Sequence, residues 1–207
     1  MTTKTASSQN NGYLELILGP MFSGKTSKVL EIYKQCIFCN IPVIIINHSI
    51  DTRYHESMVS THDKIMAPCI QTTKLSSVWN YSEIEEHFNE QTENHLKLRM
   101  ADVILINEGQ FFKDLYTVVE DMLIHNKRVS ICELDSDFDR KKFGQILDLI
   151  PLCDKVTKLT SLCSQCKDGT PGIFSMRLTC EKQQTLVGSD NYIPVCRKCY
   201  ENKKKCM

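Results

Sequence analysis

The segment Gly19-Pro-Met-Phe-Ser-Gly-Lys-Thr26 constrains the fold more than any other part of the chain. It fits the pattern G-x-x-x-x-G-K-[ST]. It follows an apolar run, YLELIL from Tyr13 to Leu18, and precedes a stretch with Val29, Leu30, Ile32, Tyr33 and Ile37 at helical spacing. A strand, a glycine-bearing turn and a helix in that order aim successive backbone N–H groups and a positive helix end at one point, which suits phosphate. In this reading Gly19, Pro20, Met21, Phe22, Ser23 and Gly24 wrap the phosphates. Lys25 reaches the β and γ positions, and the Thr26 hydroxyl ligates Mg²⁺. A chance match in a strand-to-helix turn is the competing reading; the presence of every fixed residue in the right context counts against it. The motif predicts a nucleoside triphosphate ligand without selecting a reaction.

The rest of the chain repeats the alternation. Strand-like runs occur at Val43–Asn47, Ala101–Asn107 and Arg128–Leu134. They are separated by helical patterns from Thr26 to about Cys39, near 81–96 and from about Lys113 to Asn126. Nearly continuous apolar strands alternating with helices predict a parallel sheet covered on both faces. Residues 51–80 read as irregular, and residues 1–12 as a mobile polar tail. After Pro151 the periodicity fades while Gly169, Pro171, Gly172, Gly188 and Pro194 recur, which predicts a small module organised by something other than a core. The expected division is a tail at 1–12, an α/β nucleotide-binding domain at 13–155, a metal-organised domain at 156–200 and a tail at 201–207.

Eleven cysteines in 207 residues indicate what organises that module. The N-terminus lacks the apolar region of a secretory signal, and no apolar run reaches the roughly 20 residues of a membrane span. A reducing, cytoplasmic setting is therefore expected, where thiols at short regular spacing more often bind metal than pair. Cys163-Ser-Gln-Cys166 and Cys196-Arg-Lys-Cys199 are two C-x2-C knuckles separated by 29 residues. Together they supply a closed tetrahedral thiolate site for structural zinc, pinning the ends of segment 167–195 as a loop. Four unrelated core cysteines are the alternative. Cys36 and Cys39 have no second knuckle near them and read as free thiols, while Cys180 and Cys206 are unassigned. The balance of 25 basic and 25 acidic residues counts against nucleic acid or an anionic membrane as partner. The Lys203–Lys205 run reads as a solvated tail.

Phosphoryl transfer also needs a group to position or deprotonate the nucleophile. Glu108 immediately follows the strand VILIN, which ends in Asn107, so its carboxylate is placed to accept a hydroxyl proton beside the γ-phosphate. A solvated turn residue is the plainer reading of a lone Glu at a strand end.

These motifs occur in an order that resembles a known family. The quoted residues are GPMFSGKT, DTRY at 51–54, THD at 61–63, EGQFF at 108–112, LD-x-x-F-x-R-K-x-FG at 134–144, KLT at 158–160 and the two knuckles. From about Leu14 to Tyr200 the chain resembles the zinc-containing, homotetrameric thymidine kinases of animals, bacteria and large DNA viruses. The resemblance implies a P-loop, RecA-like parallel sheet with helices on both faces and a small zinc-binding lasso domain. It implies transfer of the ATP γ-phosphate to the 5′-hydroxyl of thymidine or deoxyuridine with Mg²⁺, with Glu108 as general base. It places Asp51, Thr52, Arg53, Asn107, Gly109 and Gln110 on the nucleotide side. Met21, Phe111, Leu134, Phe138 and Phe143 would surround the thymine ring, with Arg177, Gln184, Thr185, Leu186, Val187, Gly188 and Tyr192 covering it from the loop. A homotetramer acting on thymidine and ATP, with no nucleic-acid or membrane partner, is implied as well.

The departures from the family pattern carry their own expectations. Asn107 stands where the family has Asp, which predicts weaker or altered metal use by an active enzyme. Ser136-Asp137 replaces a Gly-Thr pair, predicting a changed contact to the phosphate or sugar side. The loop between Cys166 and Arg177 is lengthened, and one Gly is missing before Tyr192. Two other functions fit parts of the pattern. One is a weakly catalytic nucleotide-binding regulator, which Asn107 favours. The other is an ATPase with a nucleic-acid-binding zinc ribbon, which the neutral charge disfavours.

Overall fold

A computed structural model describes residues 11–50, 58–61, 64–80, 90–185 and 189–204. The chain runs β1 (Tyr13–Leu18), α1 (Lys25–Phe38), β2 (Val43–His48), β3 (Met58–Ser60), β4 (Met66–Pro68), β5 (Ile70–Thr72), α2 (Glu90–Met100), β6 (Val103–Asn107), α3 (Leu115–Ile124) and β7 (Arg128–Glu133). It continues through β8 (Lys155–Lys158), β9 (Ser161–Leu162), β10 (Pro171–Gly172), β11 (Phe174–Arg177), β12 (Tyr192–Val195) and α4 (Arg197–Lys204). Six strands form one sheet in the order β5-β2-β6-β7-β1-β8, every neighbouring pair parallel.

The β1, β2, β6 and β7 runs are apolar because the sheet has a core on each face. Leu14, Leu16, Ile104, Ile106, Val129 and Ile131 point into one cluster with Leu98 of α2 and Leu115, Val118, Val119 and Met122 of α3. Ile17, Ile45, Leu105 and Cys132 point into the other with Val29, Leu30 and Cys36 of α1. Successive residues of one strand thus serve opposite cores, leaving no polar face for alternation to reveal.

Three parts of the fold differ from the sequence expectation. The irregular stretch at 51–80 contains the β3–β4 antiparallel hairpin and β5, which extends the sheet at one edge. Three-residue strands are too short to carry a period. The expected helix near 81–96 is observed as α2 from Glu90 to Met100, and residues 81–89 lie outside the described residues. Its late end has a cause: Lys127 donates its Nζ to the carbonyls of Arg99 (2.5 Å) and Ala101 (2.7 Å), satisfying the orphan acceptors of the last turn. Finally, Lys155–Lys158 is a strand, β8, on the far side of β1.

β8 has a mostly exposed sequence, KVTK, and is held by polar ties rather than by a core. Glu15, only 5% exposed, accepts from Lys155 Nζ at 2.9 Å and from the Thr157 hydroxyl at 2.8 Å. Asp154 accepts from the Leu14 N–H at 2.8 Å. Burial opposes ionisation of Glu15, but Lys155 and Thr157 outweigh it and hold the carboxyl below its ordinary value. A depressed carboxyl pKa stabilises the fold above the unfolded value and loses that contribution as pH falls through the folded value. Glu15→Gln is therefore expected to lower the unfolding midpoint at pH 7, with the gap to wild type closing as pH drops below about 4.5; thermal melts across pH 3–7 measure it.

Candidate active site

The parallel register brings the C-terminal ends of β1, β7 and β6 side by side: Leu18 pairs with Glu133, and Cys132 with Asn107. Three loops leave this edge, beginning at Gly19, Glu108 and Leu134, and ligands of open α/β sheets bind along it.

The first loop closes with Gly24 in the left-handed region (φ 83°), after which Lys25 opens α1. Gly19 is required for close approach: a Cβ there would lie 2.7 Å from both the Leu159 carbonyl oxygen and Ser23 Oγ. Lys25 folds its Nζ back onto the loop, donating to the carbonyls of Gly19 (3.1 Å) and Pro20 (2.7 Å). The loop is also tied from outside, since the Met21 N–H donates to Ser175 Oγ of β11 at 2.9 Å.

At the second loop Glu108 adopts φ 56°, ψ 40°, an uncommon conformation for a residue with a Cβ. Gln110 stabilises this bend: its Nε2 donates to Glu108 Oε2 at 2.6 Å, and its Oε1 accepts from the Leu134 N–H at 3.4 Å. Gln110 thereby ties the Glu108 turn to the end of β7. Asn107, buried, donates its Nδ2 to Asn47 Oδ1 at 2.9 Å.

The third loop packs onto the second. Gly144 has φ 66°, and a Cβ there would lie 2.6 Å from the Gln110 carbonyl oxygen. The rings of Phe111 and Phe143 meet edge to face at 5.7 Å, and His48 packs against Phe111 and Phe112 at 5.5 and 4.7 Å. Phe138 lies under the guanidinium of Arg177, 3.7 Å from its ring centre. Arg177 is itself buried at the end of β11. It donates to the Tyr192 hydroxyl and to the carbonyls of Glu181 (2.9 Å), Gln183 (2.5 Å) and Gln184 (3.0 Å). Arg177 thus braces the loop's backbone, and Thr185 follows that braced segment. Asp51, Thr52, Arg53, Leu186, Val187 and Gly188 lie outside the described residues.

The four knuckle cysteines converge with all their Sγ atoms within 4.8 Å of one another. Cys166 Sγ is 3.7 Å from Cys196 Sγ and 3.4 Å from Cys199 Sγ. Cys163 Sγ accepts from the backbone N–H groups of Cys166 (3.5 Å) and Cys196 (3.2 Å). Burial works against its thiolate, but the Cys166, Cys196 and Gln165 amides win and bring the thiol down to about 6. A four-thiol cage with amides aimed at sulfur suits a structural metal such as zinc. Replacing Cys199 with Ser is expected to abolish stoichiometric zinc and lower the melting temperature, read by elemental analysis and by thermal melts with and without chelator.

Several residues of this region carry no sequence signal. Ser175 is an ordinary polar residue until the fold brings the Met21 N–H to it. Glu133 is more unusual: it is 0% exposed at the end of an otherwise apolar strand, and neither oxygen meets a donor at full hydrogen-bond geometry. Its Oε2 lies 2.6 Å from where a Gly109 Cβ would stand, so the carboxyl fills the space that this glycine leaves. Burial pushes its pKa well above the ordinary value. The Ile146 amide and Lys25 oppose the rise, and the Glu108 charge adds to it. A raised carboxyl pKa contributes stability that is complete below the unfolded value and is lost as pH rises toward the folded one. Glu133→Met is expected to raise the melting temperature by about 2–6 °C at pH 7–8. That gain shrinks as pH falls toward about 4.5; melts at several pH values test it.

Fold and site together define an α/β protein with a glycine-bounded loop at the mouth of a parallel sheet and an appended four-cysteine module. The sequence profile of the family "Thymidine kinase" matches residues 12–200. The chain is 41% identical over 191 residues to the thymidine kinase of sheeppox virus, covering 91% of this chain and 97% of that one. It is 40% identical over 197 residues to thymidine kinase a of Arabidopsis thaliana (93% and 76% covered). To the cytosolic thymidine kinase of Bos taurus it is 35% identical over 197 residues (95% and 75% covered). The chain belongs to the thymidine kinase family, whose members are ATP:thymidine phosphotransferases. Among the described residues, no helix is long and apolar enough to cross a membrane.

Proposed function

We propose that this enzyme transfers the ATP γ-phosphate to the 5′-hydroxyl of thymidine, and of deoxyuridine, with Glu108 as general base. The observation that carries the reading is the placement of Glu108, held in its bend by Gln110, on the sheet edge from which the Gly19–Thr26 loop also leaves. The Glu108 carboxylate takes the 5′-hydroxyl proton, the freed oxygen bonds to the γ-phosphorus, and the bond to the β–γ bridging oxygen breaks to release ADP. Lys25 leaves the Gly19 and Pro20 carbonyls to meet the phosphates, and Gly19 to Gly24 surround them with backbone N–H groups. Thr26 would hold Mg²⁺, which neutralises charge on the β and γ oxygens; Asn107 offers a neutral amide rather than a carboxylate there. Gly109 and Gln110 complete the nucleotide side, with Asp51, Thr52 and Arg53. Met21, Phe111, Leu134, Phe138 and Phe143 wall the base, while Arg177, Gln184 to Gly188 and Tyr192 cover it.

The division into a nucleotide-binding domain at 13–155 and a zinc-bearing domain at 156–200 belongs to the same reading, as does a cytoplasmic location. A homotetramer is proposed too. Its support is large apolar side chains left exposed at helix ends: Phe38 ends α1 and is 88% exposed, and Met100 ends α2 and is 77% exposed. Incubation of the purified protein with ATP, Mg²⁺ and labelled thymidine tests the activity. Thymidine monophosphate is expected, with turnover reduced about 100-fold or more in Glu108→Gln. Nucleotide binding without turnover in wild type would replace this reading with that of a regulator, and DNA-stimulated ATP hydrolysis with that of a nucleic-acid-dependent ATPase.

A further inference from the structure

Asp137 lies in the loop after β7 and is 7% exposed. One of its carboxylate oxygens is fully occupied within the loop, since Oδ1 accepts from the N–H groups of Asp139 (2.9 Å) and Lys141 (2.8 Å). The loop is closed further by the Asp137 N–H donating to the Lys141 carbonyl at 2.9 Å and the Arg140 N–H donating to the Asp137 carbonyl at 3.0 Å. The carboxylate is therefore fixed in direction, and its second oxygen points across the site. There Gln184, 47 residues away in the chain, donates Nε2 to Asp137 Oδ2 at 2.8 Å and to the Lys142 carbonyl at 3.3 Å.

Gln184 is the residue at which two restraints meet. Its carbonyl is gripped from beneath by the buried Arg177, and its side chain reaches across to Asp137. Arg177 is itself seated on Phe138, the residue after Asp137. The segment from Glu181 to Gln184 is thus tied at its backbone to one side of the Phe138 ring and at its side chain to the loop that carries that ring. We propose that Asp137 and Gln184 form a latch that fixes the covering loop over the nucleoside wall, making Asp137 a positioning residue for the nucleoside rather than a contact to phosphate or sugar. The inference rests on the thymidine kinase reading of the site. A charged acceptor strengthens the bond, and a latch already made in the free enzyme removes the cost of ordering the loop when substrate arrives.

The test exchanges donor and acceptor. Gln184→Glu, a surface change that leaves the core untouched, sets two carboxylates against each other. Asp137→Asn combined with Gln184→Glu rebuilds the pair in reverse, since the Asn oxygen still accepts from the Asp139 and Lys141 amides while its Nδ2 donates to the new carboxylate. Two readouts are followed on the full-length protein: steady-state kinetics, and the rate of tryptic cleavage after the exposed Lys182. The single variant is expected to raise the KM for thymidine about 3- to 10-fold, with the KM for ATP changed less than about 2-fold, and to speed cleavage. The double variant is expected to recover most of both effects. Equal KM values and cleavage rates in all three proteins would overturn the latch, as would a double variant no better than the single one. A wild type that does not phosphorylate thymidine would overturn the activity reading instead; the cleavage rates then decide on their own whether the latch exists.

Discussion

Parallel pairing of β6, β7 and β1 is the constraint from which the site follows. Each strand in such a sheet must return by a crossover, so all the strands end on the same edge, and neighbouring ends stand about 5 Å apart. Because Cys132 pairs with both Ile17 and Asn107, the turns at Gly19, Glu108 and Leu134 begin at nearly one level. The chain separates Gly19 from Leu134 by 115 positions, with Glu108 between them, and the ladder alone brings all three within a side chain's reach. Gln110 then converts proximity into geometry, because one amide bonds both the Glu108 carboxylate and the Leu134 backbone.

Buried carboxyls show how differently the fold treats the same chemical group. Glu15 is ionised at an edge, where Lys155 and Thr157 compensate for its burial, and it fastens a strand that has no core of its own. Glu133 has no such partner: burial pushes its pKa well above the ordinary carboxylate value, and the Glu108 charge adds to the rise.

Features that belong to contiguous residues were legible in the sequence. The alternating α/β pattern, the four long strands and the convergence of Cys163, Cys166, Cys196 and Cys199 each rest on short-range spacing, and the structure has all of them. Features that depend on a distant partner were not. β8 reads as a polar stretch because Glu15, 140 positions earlier, supplies what its own side chains lack. β5 has three residues and borrows its register from β2. Asp137 drew notice only as a departure from a family pattern, expected to alter the phosphate or sugar side; its Gln184 partner lies 47 residues further along the chain. Glu133 closes a mostly buried strand, and nothing local says whether such a residue is charged, paired or neutral.

The four-cysteine module does more than terminate the chain. α4 begins immediately after Cys196, and its Tyr200 hydroxyl donates to the Phe138 carbonyl at 2.6 Å. Arg140 reaches the same helix from the other side, pairing with Glu201 at 2.5 Å and lying over the Tyr200 ring at 4.6 Å. Phe138 is thereby held at its backbone by the module and at its ring by Arg177. A helix of eight residues with a polar exposed face would not hold its place alone. Its fixed point is the knuckle at Cys196 and Cys199, so the ordering supplied by the four-cysteine cage passes through Tyr200 to Phe138. A metal in that cage would lie away from the Gly19 and Glu108 loops, yet through Tyr200 it would set where Phe138 stands.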